Sequence, residues 1–163
     1  MKKQAGRTEP GVAGNGDAKH EFVTAKIGSQ RCGIAVLQVQ DVLAPQLITP
    51  IPLAPPEVSG SLNLRGRIVT AIDLRVRMGL PRRAEGAHTM SIVVEHNNEL
   101  YSLIVDDVGE VLKVSDSSFE RNPPTLDATW RAYSRGVYRL EEGLLVALDV
   151  GTLLTFQSQE EAA

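Results

Sequence analysis

Asp106, Asp107 and Glu110 are the densest carboxylate group in a predicted strand region, the kind of cluster that general acid–base catalysis or a hard cation would use. Adjacent strand residues point to opposite faces, so Asp106 and Asp107 do not address one cleft. The long alternating ligand series of a calcium loop is absent. The cluster reads as a solvated strand end; an enzyme using Asp106 and Glu110 is the alternative and demands coupled, raised carboxylate pKa values. His20, His88 and His96 fall in an N-terminal arm, a connector and near a turn, and no pair has metal-ligand spacing. Cys32 is the one cysteine and alternates in phase with Ile34 and Val36, as a small core residue does. There is no Gly-rich phosphate loop, no Gly-x-Ser-x-Gly and no Walker motif, so no cofactor is expected.

The marked charge bias is basic: Arg65, Arg67, Arg75, Arg77, Arg82 and Arg83. Arg65-Gly66 precedes Arg67-Ile68-Val69-Thr70-Ala71-Ile72, whose branched residues favour a pleated strand, and Asp73-Leu74-Arg75 closes it. Gly66 permits a sharp reversal in front of the strand. Arg65 then stands at the rim of a rigid element, where its planar fork meets a carboxylate or carbonyl, and Arg is enriched at protein–protein hot spots. Arg82 and Arg83 read as solvated surface.

Composition narrows the field. The chain has 163 residues, 42% hydrophobic and 23% charged, enough for one domain with a real core. A net charge of −3 and only three Phe, three Tyr and one Trp argue against a nucleic-acid binder, although a β-barrel gripping nucleic acid through the Arg cluster is the remote alternative. No apolar run approaches the ~20 residues that span a bilayer. Residues 1–20 carry no secretory h-region, which makes the cytoplasm the expected compartment.

The elements that must position these residues are short strands between turn signals. Residues 1–20, with several glycines and no periodicity, read as a disordered arm, 21–157 as the folded domain and 158–163 as a tail. Strands are expected at 23–27, 31–37, 39–43, 47–51, 68–72, 90–95, 100–105, 109–114, 136–140 and 144–148. Pro50 and Pro52 make 47–51 an edge strand at best. Residues 55–60 suggest a single helical turn, with prolines at its start and Gly60 at its end. Asp73 and Asp149 are expected to cap short helices, the second burying Leu153, Leu154 and Phe156. About ten strands and little helix predict an all-β fold, a barrel or sandwich. The polar connector at 81–88 separates two similar groups of strands and suggests two small barrels, with no sequence repeat evident between them.

From Phe22 to Phe156 the chain resembles the CheW-like chemotaxis adaptors. The match includes Val39-Gln40-Asp41-Val42, Ile48-Thr49-Pro50-Ile51-Pro52, Gly60 and the Asn63–Arg75 block. It continues through Thr89–Val94, Val105-Asp106-Asp107-Val108-Gly109-Glu110-Val111-Leu112, Gly136-Val137 and Leu144–Asp149. The resemblance implies two five-stranded SH3-like β-barrels sharing an apolar seam. It also implies a non-enzymatic scaffold that couples the cytoplasmic tip of methyl-accepting chemoreceptors to the regulatory domain of the histidine kinase CheA, reaching the membrane only through those receptors. An adaptor of a non-flagellar system governing pili or gene regulation is the alternative within the family. Carried over by position, Val39, Met90 and Val111 become apolar members of a receptor groove, with Arg65 as its polar anchor, and Asp41 and Gly60 become kinase-contact positions. Core packing competes as an explanation of the three apolar residues, and a local ion pair as that of Arg65. Leu43 stands where many members have Arg, and Thr70-Ala71 replaces the usual Pro and large apolar residue.

Overall fold

The computed structural model describes residues 18–155. Within them the chain forms β1 (Lys19–Ile27), β2 (Gln30–Ala35), β3 (Val39–Leu43), β4 (Val58–Leu64), β5 (Arg67–Asp73), β6 (Met90–His96), β7 (Glu99–Val105), β8 (Asp107–Ser115), β9 (Phe119–Glu120), β10 (Ser134–Leu140) and β11 (Gly143–Leu148). Three short helices follow strands or loops: α1 (Leu74–Arg77), α2 (Ala128–Ala132) and α3 (Val150–Leu153). The arm expected at 1–20 largely precedes the described residues, but β1 already begins at Lys19. Phe156 and the expected tail lie outside them.

Hairpin chemistry sets the local pairings. Arg65 and Gly66 (φ 53° and 85°) form the two-residue loop between β4 and β5, and Asn97 and Asn98 (φ 54° and 67°) the loop between β6 and β7. Two consecutive left-handed residues are what a type I′ hairpin needs. The strands assemble into a six-stranded sheet, β9-β10-β11-β2-β1-β8, and a five-stranded sheet, β3-β6-β7-β5-β4. Each contains one parallel pairing: Cys32 opposite Val146 in the first, and Val69 through Asp73 opposite Leu100 through Ile104 in the second. The expectation of five strands per barrel is thus met in one sheet and exceeded in the other by the two-residue β9.

Strand periodicity explains the cores. Ile72, Ile92, Val94, Leu103 and Val105 of the five-stranded sheet meet Val23, Ala25, Ile27, Cys32, Ile34, Val146 and Leu148 of the six-stranded sheet in one large shared core. The alternate residues face the other way. Leu62, Val69, Ala71, Val93, Leu100 and Ile104 build a small core of their own, and Phe22, Val114, Tyr138, Leu145 and Ala147 build another. Runs such as Leu103-Ile104-Val105 are continuously apolar because both faces of the sheet are covered. In the five-stranded sheet, β3 and β4 are the two edges, yet Leu43 and Leu64 pack on the same small core and Asp41 pairs with Arg65 across the gap. The sheet therefore curls until its ends meet, which removes exposed edges.

Several local expectations are corrected. Residues 55–60 do not form a helical turn. Val58 already starts β4, and Gly60 sits in a bulge at φ 148° that pairs with Ala71. Of 47–51, only Thr49 pairs, exchanging two 2.8 Å hydrogen bonds with Ser61, because Pro50 and Pro52 supply no N–H. Both Asp caps form as expected: Asp73 accepts from the Arg75 amide and Asp149 from the Thr152 amide.

The connector at 81–88 does not separate the two sheets. Strands β3 to β5 before it and β6 and β7 after it make one sheet; β1 and β2 before it and β8 to β11 after it make the other. It separates two halves that repeat each other. The hairpin and helix β4-β5-α1 correspond residue by residue to β10-β11-α3: bulge Gly60 (φ 148°) to bulge Gly136 (φ 149°), Ala71 to Ala147, and cap Asp73 to cap Asp149. Each half lends its first hairpin, β1–β2 or β6–β7, to the other half's sheet through the parallel pairing. Cutting the chain between the exposed residues Glu85 and Gly86 is accordingly expected to leave both fragments in one native complex that separates only in denaturant. Fragments that part under native conditions on a sizing column would refute this interlocking.

Candidate functional site

The Arg65 site is assembled from both edges of the five-stranded sheet. The β4–β5 hairpin projects Arg65, whose Nη2 donates to Asp41 Oδ2 on β3 at 2.8 Å. The guanidinium and the Val42 amide together hold the Asp41 carboxyl below its ordinary pKa. The Arg65 side chain is 73% exposed, so the pair leaves most of its donors facing outward. Arg65 and Asp41, read from sequence as members of two different surfaces, are thus in contact, and the local ion pair that competed as an explanation of Arg65 is present.

The other expected members are placed differently. Val39 and Met90 are half-buried and pack against the shared core, in line with the packing explanation. Val111 is 53% exposed on β8, the edge of the six-stranded sheet, opposite Val23. Gly60 is buried: a Cβ there would stand 2.2 Å from the Thr49 carbonyl oxygen. It offers no surface of its own and acts by letting the Ile48–Thr49 segment lie against β4. Leu43, where many relatives carry Arg, is half-buried on the small core of its sheet. Thr70 sits in a strand paired on both sides, opposite Ser61 and Tyr101.

The carboxylate cluster has a structural task. Asp106 Oδ2 accepts from Arg75 Nη1 (2.8 Å) and the Gly28 amide (2.7 Å), and Oδ1 from Arg83 Nε (2.7 Å). Arg83 also reaches both oxygens of Asp73 at 2.9 Å. Burial alone would raise the Asp106 pKa, but the Gly28 amide and the two arginines outweigh it and hold the carboxyl below its usual range. That is the reverse of the shift an acid–base pair needs. Glu110 is exposed, and its backbone carbonyl accepts from the Thr24 hydroxyl. Two readings are corrected: Asp106 is not a solvated strand end, and Arg83, 11% exposed, is not solvated surface. The cause is the parallel pairing of β5 and β7, with Asp73 opposite Ile104: carboxylates ending both strands emerge together and require cations.

The remaining titratable candidates are inert or external. Cys32 is fully buried, and desolvation, with Asp106 second, pushes its thiol up to about 12, too high for a nucleophile. His20 Nε2 lies 2.6 Å from Asp116 Oδ1, and His88 Nε2 3.2 Å from Asp107 Oδ1, each as an exposed pair. A second buried cation, Arg77, donates to Glu57 and to the Leu153 carbonyl, and lies 5.0 Å over the Tyr133 ring, fastening α1 to α3.

Comparison with known proteins identifies the family to which this fold belongs. The family model described as CheW-like domain matches residues 21–158. The chemotaxis protein CheW of Klebsiella aerogenes is 31% identical, over 88% of this chain and 84% of that protein. Protein PilI of Pseudomonas aeruginosa is 29% identical, over 67% of this chain and 61% of its own length. The crystal structure of the scaffolding protein TtCheW from Thermoanaerobacter tengcongensis superimposes with a TM-score of 0.76 at 28% identity, covering 85% of this chain and 94% of that one. With its interlocked pair of curled sheets and a family match over almost the whole described chain, the protein belongs to the CheW-like family of chemotaxis proteins.

Proposed function

We propose that the protein is a non-enzymatic adaptor that holds the cytoplasmic tip of a chemoreceptor and the regulatory domain of the kinase CheA in fixed relative geometry. The observation that carries this reading is how the motif residues sort. Asp73, Arg75 and Asp106 are consumed internally, whereas Arg65 faces solvent from the tight β4–β5 hairpin loop and Val111 from β8, and Leu47, Leu53 and Ile68 are left uncovered. Exposed apolar residues together with an outward-facing guanidinium are what a reversible protein interface uses. On this reading Val39, Met90 and Val111 supply apolar contacts to the receptor's helical hairpin, with Arg65 as polar anchor, and Asp41 contributes to the kinase contact. Gly60 contributes by seating the segment around Thr49. Signal passes only because the adaptor binds the two receptor states with different affinity. Similarity to Protein PilI favours a second reading, an adaptor of a non-flagellar chemosensory system.

Calorimetric titration with the regulatory domain of a CheA from the same genome is expected to give saturable one-to-one binding in the micromolar range. Absence of binding to every CheA encoded there would remove the function while leaving the fold. Arg65→Glu is expected to abolish receptor coupling yet shift the thermal midpoint little, since an exposed ion pair is worth only ~0–1 kcal/mol. The double exchange Asp41→Arg with Arg65→Asp rebuilds the pair with reversed polarity. If it restores coupling, the pair matters for shape; if it does not, Arg65 is a contact.

A further inference from the structure

The six-stranded sheet carries a feature that the Arg65 face does not use. A cleft of about 890 Å³ opens over the small core of that sheet, floored by Phe22 and Tyr138, whose rings lie 5.3 Å apart, with the Phe119 ring tilted against Tyr138 at 5.1 Å. Its rim has two properties that folding does not explain. Leu37, in the turn between β2 and β3, is 96% exposed, and Phe119 is partly exposed beside it. Lys19, Lys113, Arg121 and Arg135 also line it, and none of the four forms an ion pair among the described residues. Of the carboxylates on the same rim, Asp116 is engaged by His20 and Asp149 by the Thr152 amide, which leaves Glu21 as the one not so engaged.

We infer that this cleft is a docking site for a short acidic segment of a partner protein, its carboxylates reaching the four free cations and an aliphatic or aromatic side chain covering Leu37 and the ring cluster. In a chain of net charge −3, a locally cationic rim around an apolar floor selects acidic ligands and steers their encounter. A nucleic acid fits less well. Its phosphates would run on beyond the cleft over a chain of net charge −3, whereas a short segment with one or two carboxylates and an apolar side chain is satisfied by the rim cations and the ring floor alone. The site lies on the other sheet from Arg65 and Asp41, so the adaptor can carry a third partner without surrendering those residues.

The test uses the full chain and fluorescence polarisation of a short labelled peptide in which Leu and Phe alternate with Asp and Glu. Saturable binding is expected, weakened about tenfold or more by Arg121→Glu with Arg135→Glu, a loss corresponding to one or two charge contacts. Leu37→Ser is expected to weaken it several-fold, and Arg65→Glu to leave it unchanged. All these positions are at the surface, so unaltered thermal midpoints exclude misfolding as the cause. No binding, equal binding by the double charge-reversal variant, loss in Arg65→Glu, or tighter binding of an oligothymidylate of equal charge would each overturn the assignment.

Discussion

Gly60→Ala is expected to lower the stability of this protein more than any other single glycine substitution in the described chain. Gly60 occupies φ 148°, a region that side-chain-bearing residues rarely enter, and its missing Cβ would lie 2.2 Å from the Thr49 oxygen, 2.7 Å from the Thr49 carbonyl carbon and 2.8 Å from Ile48 Cγ2. Two of these atoms are backbone, held by the paired hydrogen bonds between Thr49 and Ser61, so the segment has to leave. Backbone strain plus the loss of that bridge comes to about 3–5 kcal/mol, a fall in midpoint of roughly 10 °C for a domain of this size. Two internal comparisons make the cause visible. Gly66→Ala has positive φ but open space, and should cost only ~1 kcal/mol. At Gly136 the new methyl meets chiefly the far end of the Phe119 ring, which can swing aside, so the cost should be intermediate. Thermal or urea unfolding of the three variants checks the order. Equal midpoints for Gly60→Ala and Gly66→Ala would show that the Thr49 segment moves freely. Leu47, Ile51 and Leu53 flank that segment, so on the proposed adaptor reading Gly60 variants are also expected to weaken kinase binding indirectly.

The same glycine shows where sequence reasoning succeeds and where it stops. Period-two alternation, branched residues and Gly or Asn turns identified most of the strands, because those signals are local and a one-residue slip would turn each strand inside out. Prolines followed by a glycine suggested a helical turn at 55–60, and the local signal was outweighed by pairing with Ala71, a residue no window around Gly60 contains. The repeat escaped notice for a related reason. Gly60 and Gly136, Ala71 and Ala147, and Asp73 and Asp149 keep the backbone geometry of the two halves alike, while other side chains diverge with the surface they face. At the site, the rim position of Arg65 was legible because Gly66 fixes the hairpin. Its partner was not, since Asp41 comes from the opposite edge of the sheet and meets Arg65 only when the sheet curls. Arg83 was misread because nothing in 81–88 reveals that the connector folds back onto the ends of two parallel strands.

That connector contact carries the second large effect. Asp106 lies where the chain leaves β7 of one sheet for β8 of the other, and the groups it binds come from the β1–β2 turn, α1 and the connector. Asp106→Ala would strip a mostly buried carboxylate, 21% exposed, from two guanidinium groups. Removing one partner of a buried pair typically costs about 3–5 kcal/mol, and the lower end is expected because Asp73 still holds Arg83. The pH dependence has a definite sign. The folded-state pKa of Asp106 is depressed, so its contribution is fully present above the unfolded value of about 3.9 and is lost as pH falls through the folded value. Wild-type stability should therefore drop with acid below about pH 4, and Asp106→Asn should start lower at neutral pH and lose less on acidification. Hydrogen exchange supplies a local readout: the Ala87 amide, bonded to the Ala84 carbonyl within the connector, and the Leu80 amide, bonded to the Arg75 carbonyl where the connector begins, should exchange faster in Asp106→Ala while those of the β4–β5 hairpin keep their protection. If these two amides are unaffected, the clasp is not what holds the connector. If protection falls everywhere alike, Asp106 stabilises the whole domain and not the crossover between the sheets. A selective loss would assign the clasp to the crossover between the sheets; on the proposed adaptor reading, Asp106→Ala should then leave binding of receptor and kinase alone unchanged and weaken their assembly together.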